Sequence, residues 1–306
     1  MTPVLTRRAF TTSIFVAAFC GALPAHAKSQ TAKQSSVPDT RLENARDAIA
    51  ALEAKNGGRL GVFAVDSGSG RAITYRAGER FAMCSTHKLI SCAAILNMVE
   101  QGHLKLEQHV PYGHADLLEY APITRKNVGA GFMTVDALCA AAIAWSDNTA
   151  ANLLLGLIAG PTGWTMYARS IGDTSSRLDR IEPDLNSATT GDPRDTTTPE
   201  AMVRNLNRLL HDKALSDTSR KHLEGWLLDS PITGNLLRAG LPGDWRVGDK
   251  SGSGSNGTRN DLGIILPPKA APILAAVYYT ESTQPAASRE KVIAEVGAII
   301  ATALDT

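Results

Sequence analysis

The chain has almost no net charge. Its 31 basic and 30 acidic residues leave +1 across 306 positions. That balance gives no electrostatic case for nucleic acid or an anionic membrane as a partner. No His-x-His or His-Glu-x-x-His occurs among seven scattered histidines, so a metal hydrolase has no ligand set here. No metal and no cofactor are expected. A long apolar run is also missing. The strongest, Ile14 to Leu23, reaches about half of the ~20 residues that span a bilayer. Cysteine is scarce, with four in the chain.

What is present begins with an export signal. Arg7-Arg8 precedes the short apolar run, and Ala25-His26-Ala27 follows it as an A-x-A cleavage pattern. Thr6-Arg7-Arg8-Ala9-Phe10 resembles the twin-arginine type of signal, which carries folded proteins. Residues 1–27 are therefore expected to be removed, leaving a mature chain from near Lys28 in the periplasm or outside the cell, with no stable membrane association. Removal of Cys20 leaves Cys84, Cys92 and Cys139, an odd set. One disulfide and one free thiol is the natural division in an oxidising space.

Residues 28–38 are small and polar, a flexible leader. Asp39 to Lys55 places Leu42, Ala45, Ile49 and Leu52 at helical spacing, and Asn56-Gly57-Gly58 stops it. Leu60–Val65 and Ala72–Tyr75 flank Ser67-Gly68-Ser69-Gly70 as a hairpin. From about Thr86 to Asp229 the pattern is helical, as in Thr134–Trp145 and Ala150–Ile158, with no strong strand run. After Pro242, Trp245–Lys250, Asp261–Leu266 and Ile273–Thr280 read as strands, and Asn256-Gly257 offers a hairpin turn. Ser288–Leu304 is a closing amphipathic helix. The fold class is thus α/β plus all-α: an antiparallel sheet of about five strands flanked by terminal helices, with a helical domain inserted. The boundaries read 39–85 with 230–306 for the α/β domain, and 86–229 for the helical one.

Four spaced elements carry chemistry. Ser85-Thr86-His87-Lys88 is S-x-x-K at the start of an apolar helix, where residues three apart share a face. A serine hydroxyl needs a neighbouring base, and an amine whose charge is disfavoured can serve. Ser146-Asp147-Asn148 lies between two helical segments, where any of the three could also be an N-cap. Lys250-Ser251-Gly252 ends a strand, where glycine admits a ligand to the backbone. Glu182-Pro183-Asp184-Leu185-Asn186 sits in a polar stretch from Arg177 to Asp195. Gly252-Ser253-Gly254-Ser255-Asn256-Gly257 spells a dinucleotide fingerprint but leads into a strand, not a helix, and carries no cofactor.

In this order the four elements resemble the class A β-lactamases over roughly Asp39 to Leu304. Ser251 replaces the threonine usual in the third motif and keeps its hydroxyl. The E-P-x-L-N pattern at Glu182, Pro183, Leu185 and Asn186 separates such hydrolases from penicillin-binding transpeptidases; a β-lactam receptor would need transmembrane helices for signalling, and the sequence offers no run long enough. The resemblance implies a site between the two domains. Ser85 would be the nucleophile, and Lys88 and Glu182 the candidate bases. Ser146 would relay a proton, and Asn186 with Glu182 would hold the deacylating water. Asn148 would bind the substrate's side-chain amide, and Ser253 would share the oxyanion hole with Ser85. Lys250, Ser251 and Arg259 would bind the carboxylate, and Tyr120 would line the entrance. It also implies an Ω-loop over 177–195 closed by Arg180 and Asp195, a Cys92–Cys139 disulfide and a free Cys84; a cis Glu182-Pro183 bond would give the sharp turn that presents Glu182 toward Ser85. The implied partners are small-molecule β-lactams, acted on by a monomer.

Overall fold

The computed structural model describes residues 39–305. The export signal and the leader expected over 1–38 lie outside them. Side-chain caps set several helix starts. Asp39 accepts from Arg41 N at the head of α1 (Thr40–Asn56), and Gly57, at φ 70°, ends it where a side chain would be strained. The hairpin follows as β1 (Arg59–Asp66) and β2 (Ala72–Tyr75), then β3 (Phe81–Ala82). A 3-10 turn, Cys84–Thr86, leads into α2 (His87–Glu100). Next come β4 (His109–Pro111), α3 (Thr124–Asn127), β5 (Phe132–Thr134) and α4 (Val135–Ala144), capped by Thr134. Helices α5 (Asn148–Leu157) and α6 (Gly160–Ser170) precede the polar loop, β6 (Thr196–Thr197) and α7 (Pro199–Leu210). The chain closes through α8 (Asp217–Leu228), α9 (Leu237–Gly240), β7 (Arg246–Gly254), β8 (Thr258–Leu266), β9 (Ile273–Thr280) and α10 (Ala286–Leu304).

Five strands form one antiparallel sheet in the order β2-β1-β9-β8-β7. Strand β9 shows why it is central. Leu274, Ala276 and Tyr278 face one apolar core with α2 and α4–α8, while Ile273, Ala275, Val277 and Tyr279 face another with α1 and α10. With alternate residues on opposite faces, both faces of the strand must be apolar. The Asn-Gly turn also forms: Asn256 and Gly257 take φ 55° and 61°, the paired positive values of a tight hairpin.

Three expectations change. Strand β7 does not stop at Lys250 but runs through the serine–glycine stretch to Gly254, because β8 supplies pairing partners as far as Thr258. The helical middle holds short strands: β4 pairs with β5, and β6 pairs back to β3. The Cys92–Cys139 disulfide is absent. Both are buried free thiols, and Cys92 Sγ lies 3.8 Å from the Cys139 carbonyl oxygen. Burial first, then the neighbouring Cys92, pushes the Cys139 thiol well above its ordinary pKa and favours the protonated form. Cys84 is free and buried, as expected.

Candidate active site

Ser85 lies in the turn that opens α2, with Cys84 before it in the left-handed region at φ 46°. Such strain persists only where the surroundings enforce it. Strand β7 is the edge of the sheet and packs its glycines on this turn. A Cβ at Gly252 would stand 2.9 Å from Met83 O, and one at Gly254 would stand 2.6 Å from Cys84 Sγ. Glycine at both positions therefore lets the strand edge approach the turn that carries Ser85.

The buried Lys88 side chain lies one helical turn on. Its Nζ donates to Ser85 Oγ at 2.9 Å, Ser146 O at 2.8 Å and Asn148 Oδ1 at 2.6 Å, and it lies 3.0 Å from Glu182 Oε1. Acceptors surround it, and the adjacent carboxylate is Glu182. Burial pushes the Glu182 carboxyl upward, but Lys88 and His87 outweigh that and hold it well below the usual carboxylate range. Ser85 Oγ reaches Glu182 Oε1 at 3.4 Å, while Asn186 Nδ2 donates to Oε2 at 2.5 Å. The Glu182-Pro183 bond is cis, as expected.

The Ser-Asp-Asn element divides its labour. Asp147 is the N-cap of α5, accepting from Ala150 N at 2.9 Å and, through Oδ2, from the Ile123 and Thr124 amides. Ser146 and Asn148 on either side point into the site. Ser146 Oγ accepts from Lys250 Nζ at 3.0 Å, so its own hydrogen is left to give. Burial, then the charge of Lys88, pulls Lys250 well below the ordinary lysine pKa.

These groups surround a cavity of about 350 Å³ lined by Ser85, Tyr120, Ser146, Asn148, Asn186, Ile232, Ser251, Ser253 and Arg259. Tyr120 is half exposed. Arg259 donates to Ser253 Oγ at 2.6 Å and pairs with Glu290 of α10 at 3.1 Å. The loop over 177–195 closes at its neck. Arg180 Nε reaches Asp195 Oδ2 at 2.6 Å, and Arg177 N donates to Thr196 O at 3.0 Å.

Four partners escaped the sequence reading. Asn152 clamps the Glu182 backbone from both sides, each bond 2.9 Å. Its position one turn beyond Asn148 on α5 was the available signal. Asp179 accepts from Asp195 N at the neck, Glu290 holds Arg259, and His87 Nε2 lies 3.4 Å from Glu182 Oε1. No local pattern marks these three, because their partners are 16 to 95 positions away.

This geometry has known counterparts. A family model described as the β-lactamase enzyme family matches residues 44–304. β-Lactamase CTX-M-8 of Citrobacter amalonaticus is 47% identical over 252 residues, 82% of this chain and 86% of that one. β-Lactamase AST-1 of Nocardia asteroides is 46% identical, over 84% and 82% of the two chains. Among solved structures, an ancestral class A β-lactamase is 53% identical with a TM-score of 0.82, covering 84% of this chain and 98% of that one. A putative class A β-lactamase from Rhodopseudomonas palustris is 48% identical with a TM-score of 0.83, over 85% and 100%. A serine beside a buried lysine–glutamate pair, under a closed polar loop, agrees with that kinship: the chain belongs to the β-lactamase enzyme family, as a serine enzyme of class A.

Proposed function

We propose that this enzyme hydrolyses the amide bond of penicillins and cephalosporins through an acyl-enzyme on Ser85, and so confers resistance to them. The observation that carries the reading is the placement of Glu182 Oε1 within 3.4 Å of Ser85 Oγ and 3.0 Å of Lys88 Nζ. One carboxylate thus touches both the nucleophile and the amine.

In acylation Ser85 Oγ adds to the lactam carbonyl, and its proton passes to Glu182 directly or to Lys88. Lys88 becomes a base only after giving a proton to Glu182 along their contact. The oxyanion is held by the backbone N–H groups of Ser85 and Ser253. As the C–N bond breaks, Ser146 Oγ gives its hydrogen to the leaving nitrogen and is replenished from the lysines beside it. Deacylation then needs water. Glu182 and Asn186 hold it, Glu182 takes its proton, and the ester breaks to free the product acid and restore the Ser85 hydroxyl. Asn148 binds the side-chain amide, Lys250, Ser251 and Arg259 bind the substrate carboxylate, and Tyr120 borders the mouth. The Ser253 hydroxyl beside the oxyanion site favours cephalosporins.

The remaining assignments fit this role. Export by the signal over 1–27, by the twin-arginine route, places a monomer in the periplasm, where β-lactams arrive. Domains 39–85 with 230–306 and 86–229 meet at the cavity. Among the described residues no helix is long and apolar enough to cross a membrane. Turnover of a chromogenic cephalosporin tests the reading. Many product molecules per enzyme are expected, whereas a single burst would identify a transpeptidase or receptor that stays acylated.

A further inference from the structure

The hydrolytic steps above make no use of His87. Its side chain is fully buried on α2, between Ser85 and the body of the helix. Its carbonyl accepts from Trp164 Nε1 at 3.0 Å, which fixes the backbone at this point, and lies 3.2 Å from Ser91 Oγ. Ring Nδ1 lies 3.2 Å from the same Ser91 hydroxyl. Nε2 has no conventional hydrogen-bond partner and stands 3.4 Å from Glu182 Oε1, a long and imperfectly aligned contact.

The proton arrangement follows from what each atom can offer. A neutral imidazole carries one N–H. A bare Nε2 lone pair against the Glu182 carboxylate would be repulsive, whereas an Nε2–H is attracted to it. The Ser91 hydroxyl has one hydrogen, within reach of both the His87 carbonyl and Nδ1. The carboxylate facing Nε2 sets the Nε2–H tautomer, in which Nδ1 takes that hydrogen and the carbonyl keeps its bond from Trp164. We propose that His87 is a positioning residue for Glu182, its Nε2–H steadying the Oε1 edge of the carboxylate while Asn186 holds Oε2.

This proposal rests on Glu182 being the deacylating base. It adds that the carboxylate is tied to pH by a ring that never touches substrate. The charged groups facing the ring are Glu182 on the polar loop, Lys88 on its own helix and Lys250 on β7. Burial lowers the imidazole pKa, Glu182 opposes that, and the two lysines add to it. When the ring does take a proton, a second cation joins Lys88 at Oε1. Glu182 is then a poorer proton acceptor, and deacylation slows on the acid side.

The test combines ¹⁵N-histidine NMR with kinetics of the whole enzyme. The His87 resonances are assigned by their loss in His87→Phe. The expected result is an Nε2–H tautomer whose titration midpoint falls in Glu182→Gln, because the opposing negative charge is gone. His87→Phe should slow deacylation at neutral pH by about three- to tenfold, the range for losing one hydrogen bond. His87→Gln should restore the neutral-pH rate by again offering an N–H. In both variants the acid limb should move to lower pH. An Nδ1–H tautomer, or a midpoint indifferent to Glu182→Gln, overturns the proposal, as does His87→Phe with an unchanged pH profile. His87→Gln gives the same assignment, so the NMR arm holds even if His87→Phe folds poorly. Failure of the underlying reading shows elsewhere, as Glu182→Ala that accumulates no acyl-enzyme.

Discussion

The neck of the polar loop and the catalytic cavity each set a buried carboxylate against a cation, yet only one of them can move a proton. At the neck, Asp195 accepts from Arg180 Nε and from the backbone amides of Asp179 and Arg180 at 2.7 and 2.9 Å. Amide and guanidinium donors do not give up hydrogens near neutral pH. In the cavity, Glu182 meets a lysine amine, a hydroxyl and an imidazole, all of which can. A carboxylate tied by backbone amides is a rivet. One tied by titratable side chains is a relay. Both belong to one loop, and in the function proposed above the rivet keeps the relay in place.

Substitutions should separate the two roles. Ser85→Ala is expected to have the largest effect. It removes the nucleophile and should cut turnover by about 10⁴-fold or more, with the thermal midpoint nearly unchanged. Residual hydrolysis above a hundredth of wild type would place the nucleophile elsewhere. Arg180→Ala attacks the rivet instead. It leaves the buried Asp195 charge short of a partner and should cost about 2–4 kcal/mol in denaturant unfolding. Deacylation should suffer more than acylation as the loop loosens. Unchanged stability would show that the backbone amides alone hold the neck.

A smaller effect comes from carboxyls that neither pair uses. Burial raises Asp249 to about 6, against a bond from Thr233 that lowers it, and Asp261 beside it is also pushed up. A raised carboxyl binds its proton more readily folded than unfolded. This contribution therefore favours the fold below about pH 4 and is lost as pH rises through about 6. Asp249→Asn should remove about 1–3 kcal/mol of that pH dependence, measured as unfolding free energy at pH 5 and pH 8. An unaltered slope would place the proton elsewhere.

Local chemistry made much of the fold and site legible in the sequence. The Ser-Gly and Asn-Gly turns, the apolar spacing of α1 and α10, and the Ser85–Lys88 spacing depend on neighbours within a few residues. Legibility failed where partners are distant. Strand β7 continues through Ser251 to Gly254, residues with poor strand preference, because β8 pairs with them. Strands β3 to β6 are two or three residues long, too short for any periodicity to show. Asn152 and Asp179 act on groups 30 and 16 positions away. The expected disulfide came from resemblance alone, and at that spot the structure has a thiol beside a carbonyl.

The central claim is that Glu182 moves protons for Ser85. Mass spectrometry of Glu182→Ala mixed with a penicillin tests it most directly. Without the carboxylate, deacylation should fall by about 10²–10⁴-fold, the usual worth of a general base. The protein should then carry the mass of the intact drug on the peptide containing Ser85. Unmodified protein with wild-type turnover would contradict the account.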